Sequence, residues 1–391
     1  MTNHVKHGDG AKHGDGAKHG EDAHGTDDEP GTKPFGPEVA ALIDRLVQSA
    51  GEEIRHAGGG HRHASGRRNG LVEDMVRTSL RLLGDGTDLG QAKIMERAMR
   101  EMRNAYKVFN GWKGVRKISI FGSARTPEDH PDYAAAREFG RLMAAENWMA
   151  ITGAGMGIMK AGHEGPTRQS SFGLSIRLPF ETNANDIIKG DAKLIDFKYF
   201  FTRKLMFLAH SDAVACFPGG FGTMDEIFET LTLIQTGKSH PMPVVLVEGA
   251  GPDGQPKGFW KRWETGVVHN LVEAGWISPE DTSLYEIASS PADAVDRVLR
   301  FYRRYHSSRY IGDTYVVRVK RALSARQVEQ LNDEFSHLVK SGSVDQHMQP
   351  LEGEDDHVHL PRVAFHHTKR GFGHIRRFID RMNEMPDEAT A

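Results

Sequence analysis

The stretch AVACFPGGFGTMDE, residues 213–226, decides the fold of the central part of this chain. Its first five residues are small or apolar and predict a buried strand, and the glycines that follow permit a tight turn. The polar residues after the turn are typical of a helix N-terminus, where unpaired backbone amides bind anions. The stretch therefore predicts a strand that leads through a glycine-rich turn into a helix, an arrangement that holds phosphate.

Other short apolar runs flank this stretch, with helical patterns between them. The predicted strands are 117–122, 149–153, 172–178, 213–217 and 243–248. Strands that alternate with helices are typical of a parallel sheet covered on both faces. We therefore predict an α/β fold, a doubly wound parallel Rossmann-like sheet, over residues 112–306.

The sequence before this sheet predicts a tail and a helical N-terminal extension. Residues 1–36 contain the repeat KHGDGA and almost nothing apolar, which predicts a disordered tail. Residues 37–111 predict helices, including 71–83 and 89–109, with a mobile His- and Arg-rich linker at 56–70. A flexible tract lacks the fixed geometry of a metal site, so we expect at most loose metal binding by the tail histidines, which are His4, His7, His13, His19 and His24.

The sequence after the sheet predicts a small α+β C-terminal module at 313–391. Its elements are a strand at Thr314 to Val319, a helix at Ser324 to Lys340, a strand at about 344–350, a strand at Arg362 to Phe365 and a helix at Gly373 to Met382. A regulatory or oligomerising role is one interpretation, because the basic pairs at 369–370 and 376–377 suit an anionic effector. A solvated charged face is the alternative.

Composition argues against several classes of protein. The chain has 50 Lys and Arg against 53 Asp and Glu, so no overall field attracts it to nucleic acid or to an anionic membrane. No apolar run approaches the roughly 18 to 20 residues of a membrane span. The single cysteine, Cys216, lies in a predicted strand and cannot form an internal disulfide, which favours a core role and a reduced, cytoplasmic setting.

Two more glycine-rich loops follow predicted strands. The first strand ends at Gly122 and Ser123, whose small side chains let a ligand approach the backbone, and Arg125 beyond them offers a forked donor to phosphate. The second strand ends in TGAGMGIM, residues 152–159, where Gly153, Gly155 and Gly157 permit a tight turn at a helix start. Because the residue at 158 is Ile where the dinucleotide fingerprint has its third glycine, a conventional NAD site is disfavoured.

Two residues are candidates for bond-breaking chemistry. Glu226 lies in the first turn of a predicted helix, near the sugar of any phosphate-anchored nucleotide, where a carboxylate stabilises an oxocarbenium-like transition state or orients water. The alternative is that Glu226 only complements the helix dipole. Arg203 is placed to meet a ligand where the strands converge, whereas Lys204 is either a second phosphate contact or a solvated helix charge. The alternative for this pair is that both residues are surface salt-bridge partners.

At these residues the sequence resembles the LOG (lonely guy) family, also misnamed "lysine decarboxylase". The motif Pro-Gly-Gly-x-Gly-Thr-x-x-Glu is matched in full by residues 218–226, and the Arg-Lys pair at 203–204 and the loop at 152–159 also look like the family. So do residues 231–237 and the segment Ile-Ser-Pro-Glu at 277–280. The resemblance covers about 112–305, and nothing in it marks a Schiff-base lysine.

The resemblance implies hydrolysis of the N-glycosidic bond of nucleoside 5′-monophosphates, AMP-like or cytokinin nucleotides, to free base and ribose 5-phosphate. Arg203 and Glu226 match the family's proposed catalytic pair. The residues that match its substrate- and phosphate-binding loops are Gly122, Ser123, Gly153, Gly155, Gly157, Lys204, Gly219, Gly220, Gly222 and Thr223. The resemblance also implies a homodimer or a higher homo-oligomer with its site at the subunit interface, and neither a cofactor nor a metal.

The sequence departs from plant-type members of the family at two places. Phe200-Phe201-Thr202 stands where they have Met-His-Glu, and Ala154 interrupts the triple glycine of the second loop. The preferred base therefore stays open. A non-catalytic nucleotide-binding protein or a carrier of molybdenum cofactor is the alternative function, and base release from AMP distinguishes the two.

Overall fold

The computed structural model describes residues 35–56, 65–177, 184–251 and 253–387. The tail predicted to be disordered lies outside these residues except for its last two positions, and so does most of the linker predicted to be mobile. Residues 65–70 of the predicted linker are helical. Once the amphipathic segment from Leu71 forms, extending the helix adds one hydrogen bond per residue.

The described residues belong to two compact units that divide between Ala92 and Lys93. The first unit holds two helices, α1 (Pro37–His56) and α2 (Ser65–Arg81). Arg77 of α2 donates a hydrogen bond to Asp44 of α1 at 2.8 Å. The next helix, α3 (Leu89–Phe109), continues into the second unit, so the predicted helical extension is confirmed.

A parallel sheet of seven strands, in the order β4-β3-β2-β1-β5-β6-β7, organises the second unit. The strands are β1 (Lys117–Phe121), β2 (Met149–Thr152), β3 (Ser171–Ile176), β4 (Leu194–Phe197), β5 (Ala213–Cys216), β6 (Val244–Leu246) and β7 (Glu286–Ile287). The predicted doubly wound sheet is therefore confirmed. We did not predict β4 and β7, because a charged residue interrupts each of these very short strands and leaves no apolar run to detect.

Helices cover both faces of this sheet. They are α4 (Pro131–Ala145), α5 (Ile158–Glu164), α6 (Phe200–Ala209), α7 (Phe221–Gln235), α8 (Phe259–Trp263), α9 (His269–Glu273) and α10 (Pro291–Phe301). Alternate strand residues enter two apolar cores, so that in β5 Ala215 lies in one core and Cys216 in the other. Cys216 is fully buried, and burial raises the pKa of its thiol, which fits the predicted core role.

The C-terminal module is a four-stranded antiparallel sheet in the order β10-β11-β9-β8 with two helices. Its elements are β8 (Tyr305–Ile311), β9 (Thr314–Val319), α11 (Ala325–Phe335), β10 (Val339–His347), β11 (Arg362–His367) and α12 (Phe372–Glu384). The predicted α+β class is confirmed. The helix predicted to reach Lys340 is too long, the strand predicted at about 344–350 begins at Val339, and β8 was not predicted. Both β8 and β10 are edge strands with mostly polar or half-exposed residues, so their apolar pattern is weak.

One apolar core runs from the parallel sheet into the C-terminal module. Phe301 of α10, Phe365 of β11 and Phe378 of α12 belong to this core. Gly237, just after α7, has a φ of 69°, and a Cβ built there would lie 2.2 Å from Phe372 Cζ. The module thus packs directly against the end of the helix that carries Glu226. No helix in the described part of the chain is long and apolar enough to cross a bilayer.

Candidate active site

A cleft of about 1420 Å³ opens at the carboxyl ends of the parallel strands. Because β1 pairs with β2 on one side and β5 on the other, the strand order reverses direction between β1 and β5. Ligands of doubly wound proteins bind at this reversal point. The loops after β1, β2 and β5 all contribute to the cleft wall, so the three predicted glycine-rich loops meet at one place.

The cleft lining includes most of the predicted site residues. Those that line it are Gly122, Ser123, Gly153, Gly155, Arg203, Gly219, Gly220, Gly222, Thr223 and Glu226, and Arg125 lines it as well. Gly157 and Lys204 are not part of the lining. Gly157 has a φ of 60°, and a Cβ there would lie 2.3 Å from the Ser123 carbonyl oxygen. Its role is therefore to let the first two loops touch.

The turn after β5 presents backbone amides to the cleft. Helix α7 starts at N-cap Gly220, which supplies no side-chain cap, so amides of the first turn are available to an anion. A Cβ at Gly219 would lie 2.1 Å from Thr223 Oγ1, so only glycine fits there. The Ser123 amide donates to the Pro218 carbonyl at 3.1 Å, which fixes the first loop against this turn.

Arg203 projects from α6 toward the second loop. Its Nε donates to the Leu174 carbonyl at 2.8 Å, at the end of β3. A Cβ on Gly153 would lie only 2.3 Å from Arg203 Nη2, so the missing side chain of Gly153 makes room for the guanidinium. Burial lowers the pKa of Arg203 to about 10, and the charge of Glu226 opposes that shift.

A carboxylate from α3 fixes the start of α6. Glu101 is buried and accepts hydrogen bonds from the Lys198 amide at 2.8 Å and from Thr202 Oγ1 at 2.7 Å. Burial alone raises the pKa of Glu101, but the hydrogen bonds from Arg97, Thr202 and Lys198 outweigh it and lower the pKa. We did not predict this contact, because Glu101 lies about one hundred residues before Arg203 and no local pattern connects them.

Glu226 is a buried carboxylate at the cleft. It is 7% exposed, and its Oε2 is buried against Lys204, whose Nζ lies 3.3 Å away. Burial raises the pKa of Glu226, while the charges of Lys204 and Arg203 act in the opposite direction. A buried carboxylate in the wall of a cleft can stabilise positive charge that develops on a ligand.

Lys204 is the shared counter-ion of three carboxylates on α7. Its Nζ lies 2.9 Å from Asp225, 3.3 Å from Glu226 and 2.7 Å from Glu229. Burial lowers the pKa of Lys204, but the hydrogen bonds with Glu229 and Asp225 outweigh burial and raise it. Lys204 is 14% exposed and is therefore not a solvated charge; its ion pairs fit the alternative of a salt-bridge partner, and the phosphate contact stays a prediction.

The far wall of the cleft contains residues that we did not predict. Ser175 at the end of β3 is paired in register with Asp196 of β4, and Ser175 Oγ donates to Asp196 Oδ1. Both residues line the cleft, together with Phe200 and Met159. Their position depends on the pairing of β3 with β4, which the sequence did not reveal. Polar residues at strand ends were the only local signal.

Comparisons with known proteins agree with the motif in this cleft. Residues 149–298 match a protein family described as "Possible lysine decarboxylase". The chain is 27% identical over 165 residues to a probable cytokinin riboside 5′-monophosphate phosphoribohydrolase of Oryza sativa subsp. japonica, which covers 41% of this chain and 68% of that protein. It is 27% identical over 162 residues to the cytokinin riboside 5′-monophosphate phosphoribohydrolase of Mycobacterium tuberculosis, which covers 41% of this chain and 81% of that protein.

Among solved structures, the chain is similar to the molybdenum cofactor binding protein from the phototrophic bacterium Rippkaea orientalis. The two are 20% identical, with a TM-score of 0.34 and coverage of 47% of this chain and 95% of that chain.

Within the described ranges, no group of three His, Cys, Asp or Glu side chains could hold a metal ion. The histidine-rich tail lies outside those ranges.

Proposed function

We propose that this chain, whose residues 149–298 match the lysine decarboxylase-like, LOG-type family, hydrolyses the N-glycosidic bond of nucleoside 5′-monophosphates. The products are free base and ribose 5-phosphate. The observation that carries the proposal is the position of Glu226, a buried carboxylate that lines the cleft about one helical turn beyond the start of α7. A nucleotide held by its phosphate at that helix start brings its sugar to this carboxylate.

Three sets of protein groups act in the proposed reaction. The first-turn amides of α7 and the Thr223 hydroxyl bind the phosphate. As the bond between C1′ and the base nitrogen breaks, positive charge grows on the ribose and Glu226 stabilises it. The base leaves with the bonding electrons, water adds to C1′ as a hydroxyl group, and the proton that the water releases goes to the base. Arg203, held by Leu174 and Gly153, orients the nucleoside from the other side of the cleft.

A panel of nucleoside 5′-monophosphates, assayed chromatographically for free base, tests this proposal and ranks the bases, including cytokinin nucleotides. Glu226→Gln removes the charge at nearly constant shape, and we expect kcat to fall by about 10²- to 10⁴-fold with little change in AMP affinity. Glu229→Gln is the matched control, because Glu229 binds the same Lys204 and is not part of the cleft lining.

Two results would contradict the proposed activity. If wild-type protein releases no base from any nucleotide at high concentration but still binds AMP, the cleft is a non-catalytic binding site. If Glu226→Gln and Glu229→Gln lose equal activity, the effect comes from the charge around Lys204 and not from a carboxylate at the sugar.

We also propose that the protein forms a homodimer or a larger homo-oligomer, as members of this family do. Exposed aromatic side chains at the cleft support this proposal: Phe221 is 96% exposed and Phe200 is 53% exposed, and both line the cleft. Light scattering measures the assembly directly, and a monomeric, fully active protein would contradict it.

The single buried cysteine supports our further proposal of a reduced, cytoplasmic location.

A further inference from the structure

Three buried polar side chains, Thr152, His163 and Asn185, hold the second glycine loop from behind, and we call them the loop clamp. None of them is more than 2% exposed. The Ala154 amide donates to Thr152 Oγ1 at 3.0 Å. The backbone N–H of Asn185 donates to the Ala154 carbonyl at 2.8 Å, and the side-chain Nδ2 of Asn185 donates to the Gly155 carbonyl at 2.9 Å. The clamp therefore holds Ala154 and Gly155, two of the loop residues that line the cleft.

The loop needs such support because its conformation is strained. Ala154 has a φ of 62°, in the left-handed region that residues with a Cβ rarely adopt. Strained backbone persists where the surrounding structure fixes it from several sides, and it occurs most often at functional sites. Here hydrogen bonds fix both the amide and the carbonyl of Ala154.

His163 sets the orientation of the Asn185 amide. Because the Phe172 carbonyl only accepts hydrogen bonds, His163 Nε2 carries a proton and donates to it at 3.0 Å. The neutral ring then leaves Nδ1 as an acceptor for Asn185 Nδ2, at 3.1 Å. Burial lowers the pKa of His163, which favours this neutral form. The two hydrogens of the Asn185 amide are thus both used, one by His163 and one by Gly155.

The loop clamp affects the position of Arg203 because the loop that it holds contacts Arg203. Gly153 directly precedes Ala154, and its Cα lies so close to Arg203 that a Cβ would be 2.3 Å from Nη2. Any movement of the loop therefore changes the space available to the guanidinium. Because the loop and Arg203 both line the cleft, a clamp residue outside direct reach of a ligand acts on the geometry of the site.

We propose that Asn185, oriented by His163, is a positioning residue that holds the Ala154–Gly155 wall of the cleft and through it places Arg203 for the reaction. The expected effect of Asn185 on turnover rests on the proposed function. The expected effect of Asn185 on the conformation of the loop does not. Neither residue needs to touch the substrate.

Asn185→Asp tests the inference by replacing the amide donor with an oxygen of nearly the same shape. At about pH 8 the carboxylate cannot donate to Gly155 or to His163. Asn383→Asp is the matched control, because Asn383 is 1% exposed and its Nδ2 donates to the Phe301 carbonyl at 2.6 Å, next to the C-terminal module. Both variants lose one buried donor to a backbone carbonyl, but only one of them lies behind the cleft.

We expect hydrogen exchange in the peptide covering 149–159 to be at least about tenfold faster in Asn185→Asp than in wild type. We also expect kcat for nucleoside monophosphates to fall by about tenfold to a hundredfold. Asn383→Asp should lose similar thermal stability but keep wild-type exchange in that peptide and wild-type kcat. If Asn185→Asp does not fold, Asn185→Ala removes the same donors without a buried charge.

Unchanged loop exchange in a folded Asn185 variant would overturn the inference. So would an equal loss of kcat in Asn383→Asp, because turnover would then follow general stability. If wild-type protein releases no base at all, the proposed function fails on its own. Loop exchange still decides whether the clamp exists in that case.

Discussion

Gly153→Ala isolates the contribution of the Arg203 position. The added Cβ would lie 2.3 Å from Arg203 Nη2, whereas ordinary van der Waals contact begins at 3.4 Å, so the guanidinium has to retreat by about 1.1 Å. The Cβ would also lie 2.6 Å from Met159 Sδ. Both contacts are with the far ends of flexible side chains, so these move and the backbone keeps its place. Gly153 does not have a positive φ, so alanine adopts its conformation without strain.

The cost therefore falls on activity and not on stability. A misplacement of about 1 Å at a catalytic group reduces turnover by about a hundredfold, which corresponds to ~2.7 kcal/mol of transition-state stabilisation. The stability of the fold should change by less than about 1 kcal/mol, because alanine also reduces the freedom of the unfolded chain. We thus expect kcat/KM near one hundredth of wild type and a nearly unchanged melting temperature.

The assay is base release from the best nucleotide of the panel, with urea unfolding of the same preparations. Gly266→Ala is the control, because Gly266 is exposed, has a negative φ, and a Cβ there meets nothing within 4 Å. If Gly153→Ala keeps kcat/KM within about threefold of wild type, a shift of ~0.7 kcal/mol, then the position of Arg203 does not control the reaction and our reasoning is refuted.

Three further predictions concern charge and packing. Burial raises the pKa of Glu226 in the folded state above its usual 4.5. The wild-type fold therefore loses stability as pH rises from about 4.5 through this raised pKa. Glu226→Gln should therefore be more stable than wild type to urea at about pH 8 and equal to it at about pH 4, and a less stable variant at pH 8 contradicts this. Lys204→Met removes a cation that lowers the pKa of Glu226. The acid limb of the variant's plot of kcat/KM against pH should therefore move to higher pH. An unmoved limb would show that Lys204 does not act on Glu226. Phe378 is fully buried, and its ring centroid lies 5.3 Å from those of Phe335 and Phe365. We expect Phe378→Ala to lower the free energy of unfolding in urea by about 3–5 kcal/mol. A loss under about 1 kcal/mol would contradict the shared core.

The sequence predicted the features of the site that depend on contiguous residues. The turn at 218–226 contains its own strand end, glycines and helix start, so its shape follows from local chemistry. The same holds for the loop at 152–159 and for the class of the sheet, because an apolar run followed by a helix repeats along the chain. Predictions failed where strands were short or lay at the edge of a sheet, as β7, β8 and β10 show.

Only the tertiary structure decided how the site is completed. The role of Lys204 depends on which face of α7 lies opposite α6, and the support of Arg203 depends on Glu101, Leu174 and Gly153, which are distant in sequence. Asn185 reaches the second loop because β3 pairs with β2 and brings its following segment back to the cleft. The sequence by itself predicted a phosphate-binding turn and the carboxylate that follows it. The burial that raises the pKa of that carboxylate and the contacts that place Arg203 arise from non-local packing, which no local pattern encodes.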